Sequence, residues 1–293
     1  MKKYRMKRLY LLVLLCIAGC VSTAVRRRAP YFGPTESMQQ VVDAIDKNNQ
    51  QISTLWARIK YFEADVREKR GAKSQFVNGE GGYLLMQRPQ DIRLRANKAG
   101  VGIVLDVGAN DLDLWLVAPP ANRAWWLERK NADKPCTEKM PIDPVAVLEV
   151  LGVGVVDKDF LHSPTPVMRF NNDQDAYMLI WHSRSQSGTP RWIARREIWY
   201  DRKTKLPELV NLFDENGRVI VRAYLSDDRV VEGTTAEMAS KFQLFFPDSD
   251  SHFSFSLEEM KLTNGRAPNR LSFLFNPDRT GVSDVERMDG ECK

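Results

Sequence analysis

The chain has 293 residues, enough for one large domain or two small ones with a substantial hydrophobic core. Its formal net charge of +5 originates in the first 19 residues, which hold five basic and no acidic side chains. Removing those five from the 43 Lys and Arg leaves 38, which balance the 38 Asp and Glu. The balance therefore gives no reason to expect a nucleic-acid partner.

The N-terminal segment has the pattern of a secretory signal peptide. Basic residues precede the apolar run Leu9–Cys20, which is shorter than the about 20 residues that a membrane-spanning helix needs. Ile17-Ala18-Gly19-Cys20 resembles the bacterial lipobox, whose cysteine is acylated with chains such as palmitate and becomes the first residue. We therefore predict a signal peptide over 1–19, a lipidated Cys20 and a tether over 20–36. The alternative is an ordinary signal peptide, or a short apolar core helix, with Cys20 incidental.

A lipid anchor on Cys20 predicts a place in the cell envelope. Val21 follows the cysteine, whereas Asp at this position retains lipoproteins at the inner membrane in well-studied bacteria. We therefore expect attachment to the outer membrane, facing the periplasm. The basic cluster Arg26-Arg27-Arg28 in the tether either contacts anionic headgroups or is simply solvated.

Two cysteines, Cys136 and Cys292, remain in the expected folded domain. Export to an oxidising compartment favours a disulfide between them, which would attach the C-terminus to a mid-chain loop. Two unpaired thiols are the alternative, because sequence does not supply the Cα separation that a disulfide needs.

After the tether the sequence predicts a helix and then an antiparallel meander. Apolar residues recur at helical spacing from Met38 to Ile52, after the candidate caps Thr35 and Ser37. From Leu55 the pattern alternates with period two, and turn-forming residues separate the segments. The expected strands of this half begin with Leu55 and continue as Gly82–Arg88, Ile92–Ala96, Val101–Val107, Leu112–Val117 and Arg123–Arg129.

A second helix interrupts the meander. Asp143 can cap it, Pro144 occupies the first helical position, and an apolar run continues to Leu151. We expect one mainly β domain of the α+β class over 37–293, with about a dozen strands, two or three helices and a C-terminal tail. The strands expected after the second helix are Val167–Phe170, Ala176–Ser183, Trp192–Asp201, Glu208–Phe213, Arg218–Tyr224, Lys241–Phe246, Phe253–Leu262 and Leu271–Phe275.

Residue patterns typical of catalysis or metal binding are missing. His162, His182 and His252 share no metal-ligand spacing, and no serine lies in a G-x-S-x-G motif. The stretch Asn171–Asp175 lacks the turn glycine and closing glutamate of a calcium loop. We therefore expect no catalytic residue, no metal and no cofactor, and hence no enzyme.

Three motifs follow one another along the expected strands. Gly81–Leu94 is similar to a pattern G-x-L-x-x-x-R-P-x-x-x-R, and Val104–Pro119 is similar to D-G-x-x-x-W-x-x-x-P. Tyr200–Gly217 adds a Tyr-Asp pair, a Leu-Pro pair and a hairpin turn. In this order the motifs resemble the outer-membrane lipoprotein carrier and receptor family, the LolA/LolB-like proteins. The region between Lys130 and Pro166 and the tail beyond Phe275 have no counterpart in that pattern.

The resemblance implies an unclosed β-barrel, a single curved antiparallel sheet covered by helices. In that family an apolar cavity holds the acyl chains of lipoproteins without covalent chemistry. Met38–Ile52 would be the helix on the curved sheet, and Asp143–Leu151 would be a lid or plug. The lid residues would be Val145, Val147, Leu148 and Leu151.

All seven tryptophans fall in expected strands, either as core packing or as a cavity wall. Burying one acyl methylene contributes about 0.8 kcal/mol, so a cavity that takes about ten carbons gains roughly 8 kcal/mol. Arg58 and Arg93 are candidates for holding the lid or a headgroup, with a structural surface charge as the alternative for Arg58. The cavity candidates are Trp56, Trp115, Trp125, Trp126, Trp181, Trp192 and Trp199.

Together these expectations describe a membrane-anchored lipoprotein that binds acyl chains or lipoproteins, with a role in lipoprotein localisation or envelope maintenance. The alternative is an envelope scaffold or stress sensor that binds a protein partner, of unknown identity, through the same fold.

Overall fold

The computed structural model of the chain describes residues 34–67, 69–132, 134, 140–157, 160, 164–185, 190–263 and 270–292. The predicted signal peptide, Cys20 and most of the tether lie outside these residues, as do Cys136 and His162. The described part contains two α-helices, fifteen strands and four short 3₁₀ helices.

All fifteen strands belong to one sheet. Two runs of consecutive antiparallel strands meet where β1 pairs with β14, and β2 pairs only with β1. The end strands, β15 and β8, do not pair with each other, so the barrel stays unclosed. The strands are β1 Thr54–Val66, β2 Gln75–Gly79, β3 Gly82–Gln87, β4 Asp91–Lys98, β5 Gly102–Ala109, β6 Asp113–Ala118, β7 Arg123–Glu128, β8 Thr165–Asn171, β9 Ala176–Arg184, β10 Trp192–Asp201, β11 Pro207–Phe213, β12 Val219–Val230, β13 Glu237–Phe246, β14 Ser251–Lys261 and β15 Asp284–Arg287.

The predicted fold class is confirmed: the chain is mainly β, with a curved, unclosed, antiparallel sheet and two α-helices. One pair departs from the antiparallel pattern, because β15 lies parallel to β7. The chain leaves β7 next to one end of the sheet and re-enters at β8, the opposite end. The segment between these two strands carries the second helix across the sheet.

The first helix, α1, spans Met38–Asn49. Ser37 starts it with a capping box, since its side chain accepts a hydrogen bond from the Gln40 amide and Gln40 Oε1 accepts one from the Ser37 amide. Its apolar stripe, which includes Val41 and Ile45, is fully buried in the main core. Burial of this stripe, more than intrinsic propensity, stabilises so short a helix.

The second helix, α2, spans Pro144–Val150. Asp143 Oδ1 accepts a hydrogen bond from the Val145 amide at 2.9 Å, and Pro144 takes the first turn, as the sequence predicts. The helix packs against β5 and β6 and buries Ala146, Val147 and Val150 in the same core as α1. We call the face of the sheet that carries both helices the inner face, and the opposite one the outer face.

The C-terminal tail differs from its predicted form. Instead of a strand over Leu271–Phe275, the chain forms a 3₁₀ helix at Arg270–Phe273. The carbonyl oxygen of Ser272 accepts a hydrogen bond from Arg93 Nη1 at 2.8 Å. This carbonyl therefore bonds to a side chain and not to a neighbouring strand. Phe275 then stacks on Trp115 with ring centroids 5.4 Å apart. The tail ends in β15, which the sequence analysis missed together with β2.

Candidate functional site

The alternation of side chains along the strands divides the tryptophans between the two faces. Trp125 and Trp181 are buried on the inner face, in the core that both helices share. Trp115 forms a separate buried cluster on the outer face, and both Trp126 and Phe275 pack against it. The predicted opposition of the neighbours Trp125 and Trp126 is therefore present.

The remaining tryptophans lie away from the inner face. Trp56 is half-buried with Lys261 Nζ 4.6 Å from its ring centroid, and Trp199 donates its indole N–H to Glu197. Trp192 is 58% exposed. The seven predicted cavity residues thus do not form one wall, because strand alternation and strand ends send them in different directions.

The two arginines predicted to hold a lid or headgroup lie elsewhere. Arg58 is half-exposed and forms ion pairs with Glu258 at 3.2 Å and Glu259 at 2.7 Å. Arg93 is on the outer face, where it contacts Asp106 and the tail. These contacts correct the prediction for both, since each guanidinium already has carboxylate partners.

An inner cleft of about 220 Å³ lies between α2 and the inner face of the sheet. From the predicted lid, Val145 and Leu148 line it, whereas Val147 and Leu151 are fully buried in the core. The other apolar and small residues of the lining come from β3, β9, β10 and the segment after α2. They are Met86, Pro89, Gly152, Val153, Gly154, Val156, Trp181, Ile198 and Tyr200.

Four charged side chains share the inner cleft with this apolar lining: Arg88, Arg129, Arg196 and Glu149. Arg88 Nη2 donates to the Asn49 carbonyl at 3.0 Å, and Arg129 Nη1 donates to the Asn110 carbonyl at 3.0 Å. Within the described residues, none of the three arginines has a carboxylate within ion-pair distance. The cleft therefore combines an apolar wall with an excess of positive charge.

The carboxyl of Glu149 responds to this environment. Burial raises its pKa, while the charges of Arg196, Arg195 and Arg129 partly offset that rise. A buried carboxylate that accepted close ion pairs would show the reverse direction. Since no ion pair joins Glu149 to an arginine among the described residues, Glu149 does not neutralise them as a close partner.

The segment that follows α2 is fixed to α1 by buried polar groups. Asn49 Nδ2 donates to the carbonyls of Gly152 and Gly154 at 3.1 and 2.8 Å. Asp46 Oδ1 accepts a hydrogen bond from the Val156 amide at 2.9 Å. This α1 latch holds the chain at the end of α2 against the inner face.

A second, larger depression of about 540 Å³ lies beside the inner cleft and shares Arg88 and Pro89 with it. Its lining is more polar and includes Asp91, Asp111 and Arg270, and the last two form an ion pair at 2.8 Å. Arg270, the arginine that only this depression has, is already paired, and the walls are mixed, so the inner cleft under α2 is the candidate site.

Further sequence predictions can be placed only in part. No group of three or more His, Cys, Asp or Glu side chains in the described ranges is arranged to hold a metal ion. Neither α-helix described above has the length and apolar character for crossing a bilayer. Cys292 is disulfide-bonded, but Cys136 lies outside the described residues, so their pairing stays a prediction.

Comparisons with known proteins find similar structures but no relative by sequence. No protein-family model and no curated protein matches the chain. The fold is similar to a DUF1329 family protein from Desulfovibrio piger, at 12% identity and a TM-score of 0.48 over 79% of this chain and 95% of that one. It is also similar to a LolA superfamily protein from Nitrosomonas europaea. That similarity has 11% identity and a TM-score of 0.47, over 82% of this chain and 99% of that one.

A domain named for outer membrane lipoprotein sorting, from Vibrio parahaemolyticus, is similar at 11% identity and a TM-score of 0.45, over 80% of this chain and 96% of that one. Likeness at these identities and TM-scores carries no argument about function.

The sequence analysis missed the charged residues of the inner cleft. Arg196 lies two and four residues before Ile198 and Tyr200, which share its face of β10. A charged residue spaced by two from apolar strand residues is expected on the same face of the strand, which predicts an inward-facing polar group. The irregular register between Ala194 and Arg196 weakens it, because the alternation cannot be followed through that point.

Proposed function

We propose that this chain is a lipid-anchored envelope protein that holds acyl chains, free or as part of lipoproteins, in the inner cleft under α2. The observation that carries the proposal is the cleft itself. Eleven of its fifteen lining residues are apolar or glycine, and it lies directly beneath a helix whose own buried residues are all apolar. Such a site gains affinity from the removal of methylenes from water and requires no reacting group.

The helix α2 acts as the movable cover in this proposal. The cleft of about 220 Å³ is smaller than the roughly 300–1,000 Å³ typical of ligand pockets, so a long chain needs more room. Moving α2 outward exchanges its contacts through Ala146, Val147 and Val150 for contacts with the acyl chain. Because both sets of contacts are apolar, the exchange costs little.

Lipid retention tests the proposal. The full chain with Cys20→Ser, which removes the predicted acylation site, is purified without detergent and examined by native mass spectrometry and with a fluorescent fatty acid. We expect bound long-chain lipid or saturable uptake of the probe. Leu148→Trp, which fills the cleft, should abolish uptake, whereas Val155→Trp, at a 47% exposed position outside the lining, should not.

An empty protein that also refuses the probe would contradict lipid binding. Depletion of this protein in the cell separates lipoprotein sorting from the scaffold or sensor alternative. Loss of outer-membrane lipoproteins supports the sorting function, whereas intact sorting with altered envelope signalling supports the alternative.

A further inference from the structure

Arg196 is a charge on an otherwise apolar surface. On the inner face of β10 it is followed by Ile198 and Tyr200, and its partners across the neighbouring strands are Trp181 and Leu212. Its guanidinium carbon lies 4.2 Å from the Trp181 ring centroid. Cation–π contact offsets part of the cost of moving the charge out of water, but it supplies no hydrogen-bond acceptor.

The other two arginines of the inner cleft donate hydrogen bonds to backbone carbonyls. Arg88 uses Nη2 on the Asn49 and Gln50 carbonyls, while its Nε is buried with no hydrogen-bond partner among the described residues. Arg129 gives Nη1 to the Asn110 carbonyl. All three arginines are half-buried, and a cation partly removed from water gains from an acceptor of opposite charge.

Glu149 does not supply that acceptor. It lines the same cleft, yet no described guanidinium lies within ion-pair distance of its carboxylate. Three positive groups against one acidic group leave the lining with a positive excess beside an apolar wall. This pairing of an apolar wall with a positive end matches an amphiphile with a negative head.

We infer that the inner cleft takes long-chain amphiphiles with an anionic head, a carboxylate or a phosphate, which Arg196 binds together with Arg88 and Arg129. The inference rests on the proposed acyl-chain binding and adds the head chemistry. Guanidinium groups bind carboxylate and phosphate oxygens through paired, charge-assisted hydrogen bonds. The ligand head then satisfies donors that the protein leaves open.

A pair of ligands with the same chain tests the head. Oleate and oleyl alcohol differ in head charge, so we expect the Cys20→Ser full chain to bind oleate at least about tenfold more tightly, as one charged hydrogen bond supplies. Arg196→Gln should weaken oleate binding much more than oleyl alcohol binding, and so remove most of this preference. Arg195→Gln is the matched control, because the neighbouring Arg195 is outside the lining and bonded to Glu215.

Glu149→Gln gives a test of opposite sign. Removing the one acidic group of the lining should tighten oleate binding more than oleyl alcohol binding. Oleyl phosphate and inorganic phosphate complete the series: a phosphate head that competes with oleate extends the site to phosphate lipids, and inorganic phosphate alone should bind weakly.

The outcomes separate this inference from the function beneath it. Equal affinity for oleate and oleyl alcohol, or an oleate preference that survives Arg196→Gln, would overturn the anionic head. Inorganic phosphate that binds as tightly as oleate would overturn the amphiphile. Failure to bind either lipid would instead contradict acyl-chain binding itself.

Discussion

Half-buried arginines have different partners on the two faces of the sheet. On the outer face, Asp106 accepts hydrogen bonds from Arg93 and Arg95, each through two guanidinium nitrogens, and one from the Trp115 indole. On the inner face, Arg88 and Arg196 have no carboxylate in range within the described chain. The paired arginines of the outer face stabilise the fold, whereas the arginines that line the inner cleft are available to a ligand.

The pKa directions follow the same contrast. Burial alone raises the pKa of Asp106, but hydrogen bonds from Arg93 and the charges of Arg93 and Arg95 outweigh it and hold the pKa below its usual value. Burial raises the pKa of Glu149 and the surrounding arginines do not outweigh it. The distance to the cation decides the sign, since both carboxyls are removed from water.

Breaking the outer cluster should have the largest effect. Asp106→Asn leaves Arg93 and Arg95 as uncompensated charges under the tail, and we expect the free energy of unfolding to fall by about 3–5 kcal/mol. Urea unfolding measures it. Glu258→Gln, which breaks an exposed pair with Arg58, should cost under about 1 kcal/mol.

The Asp106 contribution also depends on pH. With a depressed folded pKa, it is fully present above the unfolded value of about 3.9 and is lost as the pH falls through the folded pKa. The difference in stability between the wild type and Asp106→Asn should therefore shrink on acidification below about pH 4. A loss under about 1 kcal/mol at pH 7 would show that the cluster is not structural.

Removing part of the α1 latch should have an intermediate effect. Asn49→Ala leaves the carbonyls of Gly152 and Gly154 without their donor, at a cost of about 1–3 kcal/mol. Hydrogen exchange should rise at the Val156 amide, since the segment then keeps only its α1 latch bond to Asp46. Gln39→Ala, on the exposed side of α1, is the control, and equal exchange in both variants would place the latch elsewhere.

Glu149→Gln should have the smallest effect on stability. With a raised folded pKa, Glu149 binds its proton more tightly in the folded state, so its effect on stability becomes unfavourable as the pH rises from about 4.3 through the folded pKa. The variant should therefore gain relative to the wild type between pH 4 and pH 8. Unfolding midpoints across this range measure the gain, with the exposed Glu80→Gln as control; parallel curves would contradict it.

Local signals made most of the fold predictable. Ser37 and the Asp143-Pro144 pair mark both helix starts, and the alternating strands with their turns define the antiparallel runs. The tail was not predictable, because β15 is a short polar segment held by a parallel neighbour far away in sequence. The sequence pattern around Phe275 predicts a strand, because the stacking partner of this ring, Trp115, is far away in the sequence.

The candidate site was predictable only as an apolar helix over an apolar face. Val145 and Leu148 came from the pattern of α2, whereas the cations did not. Arg195 and Arg196 are neighbours of identical chemistry, and only the local register sends one to Glu215 and the other to the cleft. Sequence spacing does not decide such a choice when the strand is irregular.

The connections before and after α2 decide how this helix can move. The segment that contains it starts from β7 and ends at β8, strands near opposite ends of the sheet. The α1 latch fixes the chain directly after α2, at Gly152, Gly154 and Val156. We therefore expect α2 to move away from the cleft about its C-terminal end, so that the volume beneath the helix grows toward its N-terminal end.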